Sequence, residues 1–169
     1  MSASKIVGFS VRARWGTLVM LLLAACGFAI AVRALAWWHV GPAQIGPIEF
    51  RSCFENDCKV SRLTLLTGAS FWIRTGYITY GAGLIATMVA VMCAAGIAAK
   101  RVPVLLGKMM LVAVITAVVP ATMFITQVPK LAQMSLGIGV PVFFASVVLG
   151  IAASLSVFRA SRPQRAAAA

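Results

Sequence analysis

Four long apolar runs divide the chain, at 15–38, 76–99, 104–128 and 136–158, and most of the charge lies between them. Each run can cross a hydrocarbon core of about 30 Å, which takes roughly 20 helical residues. Helix is the conformation expected, because an open strand in lipid leaves backbone donors and acceptors unpaired. The second and third breaks are short and punctuated, at Lys100-Arg101-Val102-Pro103 and at Pro129-Lys130. Tight connections make successive helices antiparallel. The fold class expected is therefore an all-α membrane protein, one four-helix transmembrane bundle over 1–169, with an outer loop 39–74 and a tail 159–169.

Composition makes lipid the required solvent. Of the 169 residues 62% are hydrophobic and 11% charged, against about 25% charged in an ordinary soluble domain. The net charge of +12 would suit nucleic acid. The cations, however, sit in small groups between apolar runs and form no basic stripe, so no nucleic-acid partner is expected. Their distribution encodes orientation instead. Lys5, Arg12, Arg14, Lys100, Arg101, Lys108, Arg159, Arg162 and Arg165 fall on one side with no acid. The other side holds Arg33, Arg51, Lys59, Arg62, Arg74 and Lys130, together with all three acids, Glu49, Glu55 and Asp57. The positive-inside rule puts the first side, with both termini, in the cytoplasm. The location expected is the plasma membrane, or the inner membrane of a bacterium, with the first loop extracytoplasmic.

The stretch Leu23-Ala24-Ala25-Cys26 has the form of a bacterial lipobox, in which the chain is cut before Cys26 and lipidated there. Such processing segments are excluded before a fold is argued. The apolar run continues for about a dozen residues beyond Cys26, which a released domain would not need. A thiol packed in a membrane helix is the simpler reading, and Cys93 reads the same way.

The outer loop differs in residue type from everything else. Gly41-Pro42 and Gly46-Pro47 mark turns. Ile48-Glu49-Phe50-Arg51-Ser52-Cys53 and Cys58-Lys59-Val60-Ser61-Arg62-Leu63 alternate at the strand period, with a turn at Glu55-Asn56-Asp57 between them. This predicts a small β-hairpin on which Cys53 and Cys58 face each other and, outside the cytoplasm, can oxidise. Two readings stay open beside that disulfide: a pair of free thiols, and a redox-active pair. The second would ordinarily use the closer Cys-X-X-Cys spacing. Phe50, Arg51, Glu55, Asp57 and Lys59 are the residues by which such a loop would meet a partner.

A helix, an outer loop with an aromatic-x-x-Cys…Cys hairpin and three further helices, in that order, resemble the claudin and peripheral-myelin-protein superfamily of tetraspan proteins. That family's loop carries Gly-Leu-Trp-x-x-Cys and then a second Cys. Here Phe50 stands at the aromatic position and Cys53 at the cysteine. Cys58-Lys59-Val60 resembles the family's run from its second cysteine onward, and Arg74 resembles an arginine near the start of the second helix. The resemblance implies a claudin-like architecture without an active site.

Within the spans, Ala82, Ala86, Ala90, Ala94 and Ala98 repeat every fourth position, and Ser146, Gly150 and Ser154 do so in the last helix. Small residues at that period let backbones approach closely, to pack the bundle or to join subunits. Arg33 lies inside the first apolar run, where an ionisable group is a functional candidate by default. It is also near Trp37 and Trp38, an aromatic pair suited to the outer membrane interface, so snorkelling to headgroups or pairing with a loop acid accounts for it. Arg74 belongs to the same interface, and Lys108 to the inner one. No span contains Asp or Glu, which argues against a cation-coupled transporter built on buried carboxylates. His39 is the single histidine, and no set of His, Cys and carboxylates has metal-ligand spacing. No cofactor and no defined small molecule is expected.

The sequence leaves three function classes. The first is a non-enzymatic tetraspan protein whose outer loop or small-residue helix faces bind another membrane protein or a second copy. The second is a membrane thiol–disulfide oxidoreductase using Cys53 and Cys58, and the third a small transporter or channel subunit. The first fits most of the chain, with the lipid bilayer as its other partner.

Overall fold

The computed structural model describes residues 11–54, 57–63, 70–99, 104–128 and 134–161. Among them are four helices, α1 (Val11–Arg33), α2 (Ser70–Ala98), α3 (Val104–Thr126) and α4 (Gly139–Ser161). Five strands accompany them: β1 (Trp38–Val40), β2 (Ala43–Ile45), β3 (Glu49–Phe54), β4 (Asp57–Arg62) and β5 (Met134–Leu136). All four helices are long and apolar enough to cross a membrane, and only 39% to 44% of each spanning window is buried within the protein. The remainder turns outward as aliphatic surface, including Leu23, Ile85, Val112 and Val148. An apolar surface this extensive fits lipid and not water.

The helices pack in a ring, α1 against α2 and α4, and α3 against α2 and α4. Glycine sets the closeness of three of these seams. A Cβ on Gly83 of α2 would lie 2.6 Å from Val32 Cγ1 of α1, and one on Gly107 of α3 would lie 2.9 Å from Val157 Cγ1 of α4. Where α1 meets α4, a Cβ on Gly27 would run into the Ser146 hydroxyl. Threonine and serine hydroxyls within the helices return to the preceding turn, as Thr79 Oγ1 does to Thr75 O at 2.7 Å and Ser154 Oγ to Gly150 O at 2.9 Å. They therefore bring no unpaired polarity into the bundle. Pro120 lies buried inside α3, and Pro141 falls in the first turn of α4, where the missing N–H costs nothing.

Element boundaries depart from expectation at one end of the bundle. The first helix stops at Arg33 and not at residue 38, because Trp37 and Trp38 turn away into the sheet. The second begins at Ser70, six residues before the expected start, and its 29 residues make it about 44 Å long at 1.5 Å per residue. Leu136, expected to open the last helix, belongs to β5, and α4 runs from Gly139 to Ser161.

The expected hairpin is the outer part of a larger antiparallel sheet with strand order β4-β3-β2-β1-β5. The β1–β2 connection is a two-residue turn, Val40 pairing with Ala43, in which Gly41 has a φ of 55°. That left-handed position favours glycine. In the β3–β4 hairpin Phe54 pairs with Asp57, so Asp57 begins a strand and does not belong to the turn. Strand β5 comes from the connection between α3 and α4 and pairs with β1 through Trp38↔Leu136 and Val40↔Met134. The α1–α2 and α3–α4 connections are thus joined in one hydrogen-bonded unit.

Candidate functional site

Strand alternation gives the sheet two unlike faces. On one, Leu136, Trp38, Ile45, Phe50 and Ser61 form a row across the five strands. Trp38 and Ile45 are buried, and Val40, Phe50 and Met134 pack against the same core. On the other face the corresponding row is Ser135, His39, Gln44, Arg51 and Val60. Gln44, Arg51 and Val60 are exposed, Val60 to 53%. Glu49 and Cys53 share this polar face with Arg51 by the two-residue period.

Trp37 joins this sheet to the helices. Its backbone N–H donates to Ile45 O at 2.7 Å and its carbonyl accepts from Gly137 N at 2.8 Å. Its indole N–H donates to Ala31 O at 2.7 Å. The ring is fully buried, 5.7 Å from Phe124 of α3 and 5.2 Å from Phe143 of α4. Gly137 and Gly139 pass so close to Ala36 and Trp37 that neither could carry a side chain without displacing backbone or indole. Trp72 ties α2 to α3 in a similar way, stacking on Phe124 at 4.7 Å and donating to its carbonyl at 2.8 Å. Neither role is legible in the sequence. The only visible signal is an indole beside a turn rich in glycine and proline or at a helix start, and that same signal describes a membrane-interface tryptophan.

The expected site residues separate on inspection. Cys53 and Cys58 are cross-strand partners with Cα atoms 4.1 Å apart and form a disulfide. Arg51 is exposed on the polar face beside them, whereas Phe50 points inward and is half-buried. Lys59 is exposed on β4. Glu55 lies outside the described residues. Ala86, Ala90, Ala94, Ser146 and Gly150 are buried in the bundle's own seams, and Ala82 is half-buried. A stripe already filled by α1, α3 or α4 cannot also receive a second subunit. Trp37 and Trp38 are buried too, so they are core residues of the helix–sheet junction and not exposed interface anchors. Arg74 is exposed near the start of α2. Cys26 is exposed on α1, while buried Cys93 donates its thiol to Leu106 O at 3.3 Å.

Two arginines at opposite ends have defined roles. Arg14, in the first turns of α1, donates from Nε to Ile97 O at 3.0 Å and from Nη2 to Ala98 O at 2.7 Å. It satisfies the last carbonyls of α2 where the helix dipole is negative. Arg33, the last residue of α1, donates to the Tyr80 hydroxyl of α2 at 3.0 Å. Beside it the end of α1 and the polar face of the sheet border an open cleft of about 30 Å³, lined among others by Arg33, Gln44, Glu49 and Arg51.

Among the described residues no group of three or more His, Cys, Asp and Glu could hold a metal ion. No family model matches the chain, and no match is found among curated proteins.

Proposed function

We propose that the chain is a claudin-like tetraspan membrane protein without enzymatic activity. Its termini lie in the cytoplasm, and it binds a membrane protein partner, or a second copy, through its outer sheet. The observation that carries this reading is the polar face of that sheet, where exposed Gln44, Arg51 and Val60 lie in one row next to the Cys53–Cys58 disulfide. A surface restrained before binding spends little conformational entropy on it, and this hairpin is closed by a disulfide and paired to β2, which Trp37 ties to the bundle. The small-residue helix seams are occupied within the bundle, which leaves the sheet as the surface for association. The hairpin with Phe50 at its aromatic position, the two joined cysteines and three helices after it support the claudin-like architecture.

Photo-crosslinking in native membranes tests the proposal. A benzophenone side chain would be placed at position 51 or 60 on the sheet, and at position 85 or 148 on the lipid-facing helices. The expected result is a discrete protein adduct from 51 and 60, with lipid adducts from 85 and 148. Protein adducts confined to the helix positions would refute association through the sheet.

A further inference from the structure

We infer that the cleft between the end of α1 and the polar face of the sheet is a binding site for the headgroup of a phospholipid bearing a primary amine, a phosphoethanolamine lipid. The inference rests on the membrane reading of the four helices but not on the interaction role of the sheet.

The cleft lies where α1 ends at Arg33. If α1 spans the membrane, that level is the headgroup layer. Its lining carries both signs of charge, as a zwitterionic headgroup does. Arg33 and Arg51 both line it and offer guanidinium donors to a phosphate, which arginine grips through paired N–H groups. Arg33 spends one contact on the Tyr80 hydroxyl, out of about five donors per guanidinium. Glu49 and Gln44 line the same cleft. A carboxylate and a carboxamide oxygen are acceptors for an ammonium group. The backbone of residues 33–36 adds the negative end of the α1 dipole, which favours a cation and disfavours a purely anionic ligand.

Two features select a primary amine over a quaternary one. Among the described residues the lining contains no aromatic side chain, although aromatic cages are the usual means of holding quaternary ammonium. The acceptors of the lining, the Glu49 carboxylate and the Gln44 carboxamide oxygen, can take hydrogen bonds from a primary ammonium group, whereas a trimethylammonium group donates none. The phosphate then sits at the open rim with the arginines.

The test is native mass spectrometry of the full chain in detergent, with equal amounts of phosphatidylethanolamine, its N-methyl and N,N-dimethyl derivatives, phosphatidylcholine and phosphatidylglycerol added. Circular dichroism would verify the fold of each variant. The expected result is retention of phosphatidylethanolamine about tenfold over phosphatidylcholine, falling stepwise with methylation, as one charge-assisted hydrogen-bond set is lost. Glu49→Gln should abolish that preference while leaving phosphatidylcholine retention unchanged, and Arg51→Gln should weaken retention of both. Equal retention of the methylated series, preference for phosphatidylglycerol, or a Glu49→Gln variant that keeps the preference would each overturn the inference. Millimolar O-phosphoethanolamine is expected to leave lipid retention unchanged. Displacement by it would overturn the lipid assignment in favour of a soluble phosphorylated amine. Loss of the sheet crosslinks with lipid selectivity intact would count against the interaction role alone.

Discussion

Trp37 and Trp38 are adjacent, both buried and chemically identical, yet they differ in one respect that yields a sharp prediction. The Trp37 indole N–H donates to Ala31 O at 2.7 Å, whereas the buried Trp38 indole N–H has no hydrogen-bond partner among the described residues. Ala31 O depends on that indole. The N–H that would ordinarily reach it, from Leu35, bonds Ile30 O at 3.1 Å instead. Trp37→Phe therefore removes a buried hydrogen bond and leaves a carbonyl unpaired beside the fully buried Ala31. Trp38→Phe removes a donor that was already unpaired. Both substitutions delete the same atoms, and Trp37, fully buried between Phe124 and Phe143, loses at least as much packing as Trp38. The difference is then at least the cost of an orphaned buried acceptor, about 1–3 kcal/mol, with Trp37→Phe the less stable. Reversible unfolding in mixed micelles, followed by circular dichroism at 222 nm because fluorescence would change with the substitution, measures both values. A Trp38→Phe variant as destabilised as Trp37→Phe, or more so, would refute the assignment of Trp37 as the hydrogen-bonded junction.

Gly83→Ala should destabilise the bundle by about 1–3 kcal/mol through overpacking, since its Cβ would sit 2.6 Å from Val32 Cγ1. Gly81→Ala, where a Cβ meets nothing within 4 Å, should be neutral or stabilising by up to about 1 kcal/mol in the same unfolding assay. Arg14→Gln removes both hydrogen bonds to the last carbonyls of α2. It should cost about 1 kcal/mol and speed amide exchange selectively in the final turn of α2. Replacing Cys53 and Cys58 together by Ser opens a very short loop, so the loss should be about 2 kcal/mol at most. Faster exchange should be confined to β3 and β4, with the helical bundle unchanged.

The helices were legible because their signal is additive. Each apolar run sums some twenty favourable transfers, and nothing else in the chain competes with them. The β3–β4 hairpin was legible from its alternation, and the Cys53–Cys58 pairing from the register that alternation implies. What escaped is made of short segments with no period of their own. Met134-Ser135-Leu136 is three residues long and becomes a strand only because β1 offers it an edge. Trp37 and Trp38 carry the same residue type and position as interface anchors. Trp37 is buried against Phe124 and Phe143, on helices about 90 and 100 residues further along the chain, and Trp38 against the core through the sheet. The alanine stripe of α2 was visible, but its partner was not, since small residues permit close approach without naming what approaches. The convergence of Arg33, Glu49 and Arg51 on one cleft could not be read either, because only the folded sheet brings β3 to the end of α1.

All of these roles presuppose that the sheet lies outside the cytoplasm and the start of α1 inside it. Impermeant maleimide labelling of intact cells, in a Cys26→Ser background, tests that most directly, with Val60→Cys on the exposed face of β4 and Val11→Cys at the exposed start of α1. The account predicts that position 60 is labelled in intact cells and position 11 only after permeabilisation. Labelling of position 11 from outside, with position 60 protected until the membrane is opened, would contradict it.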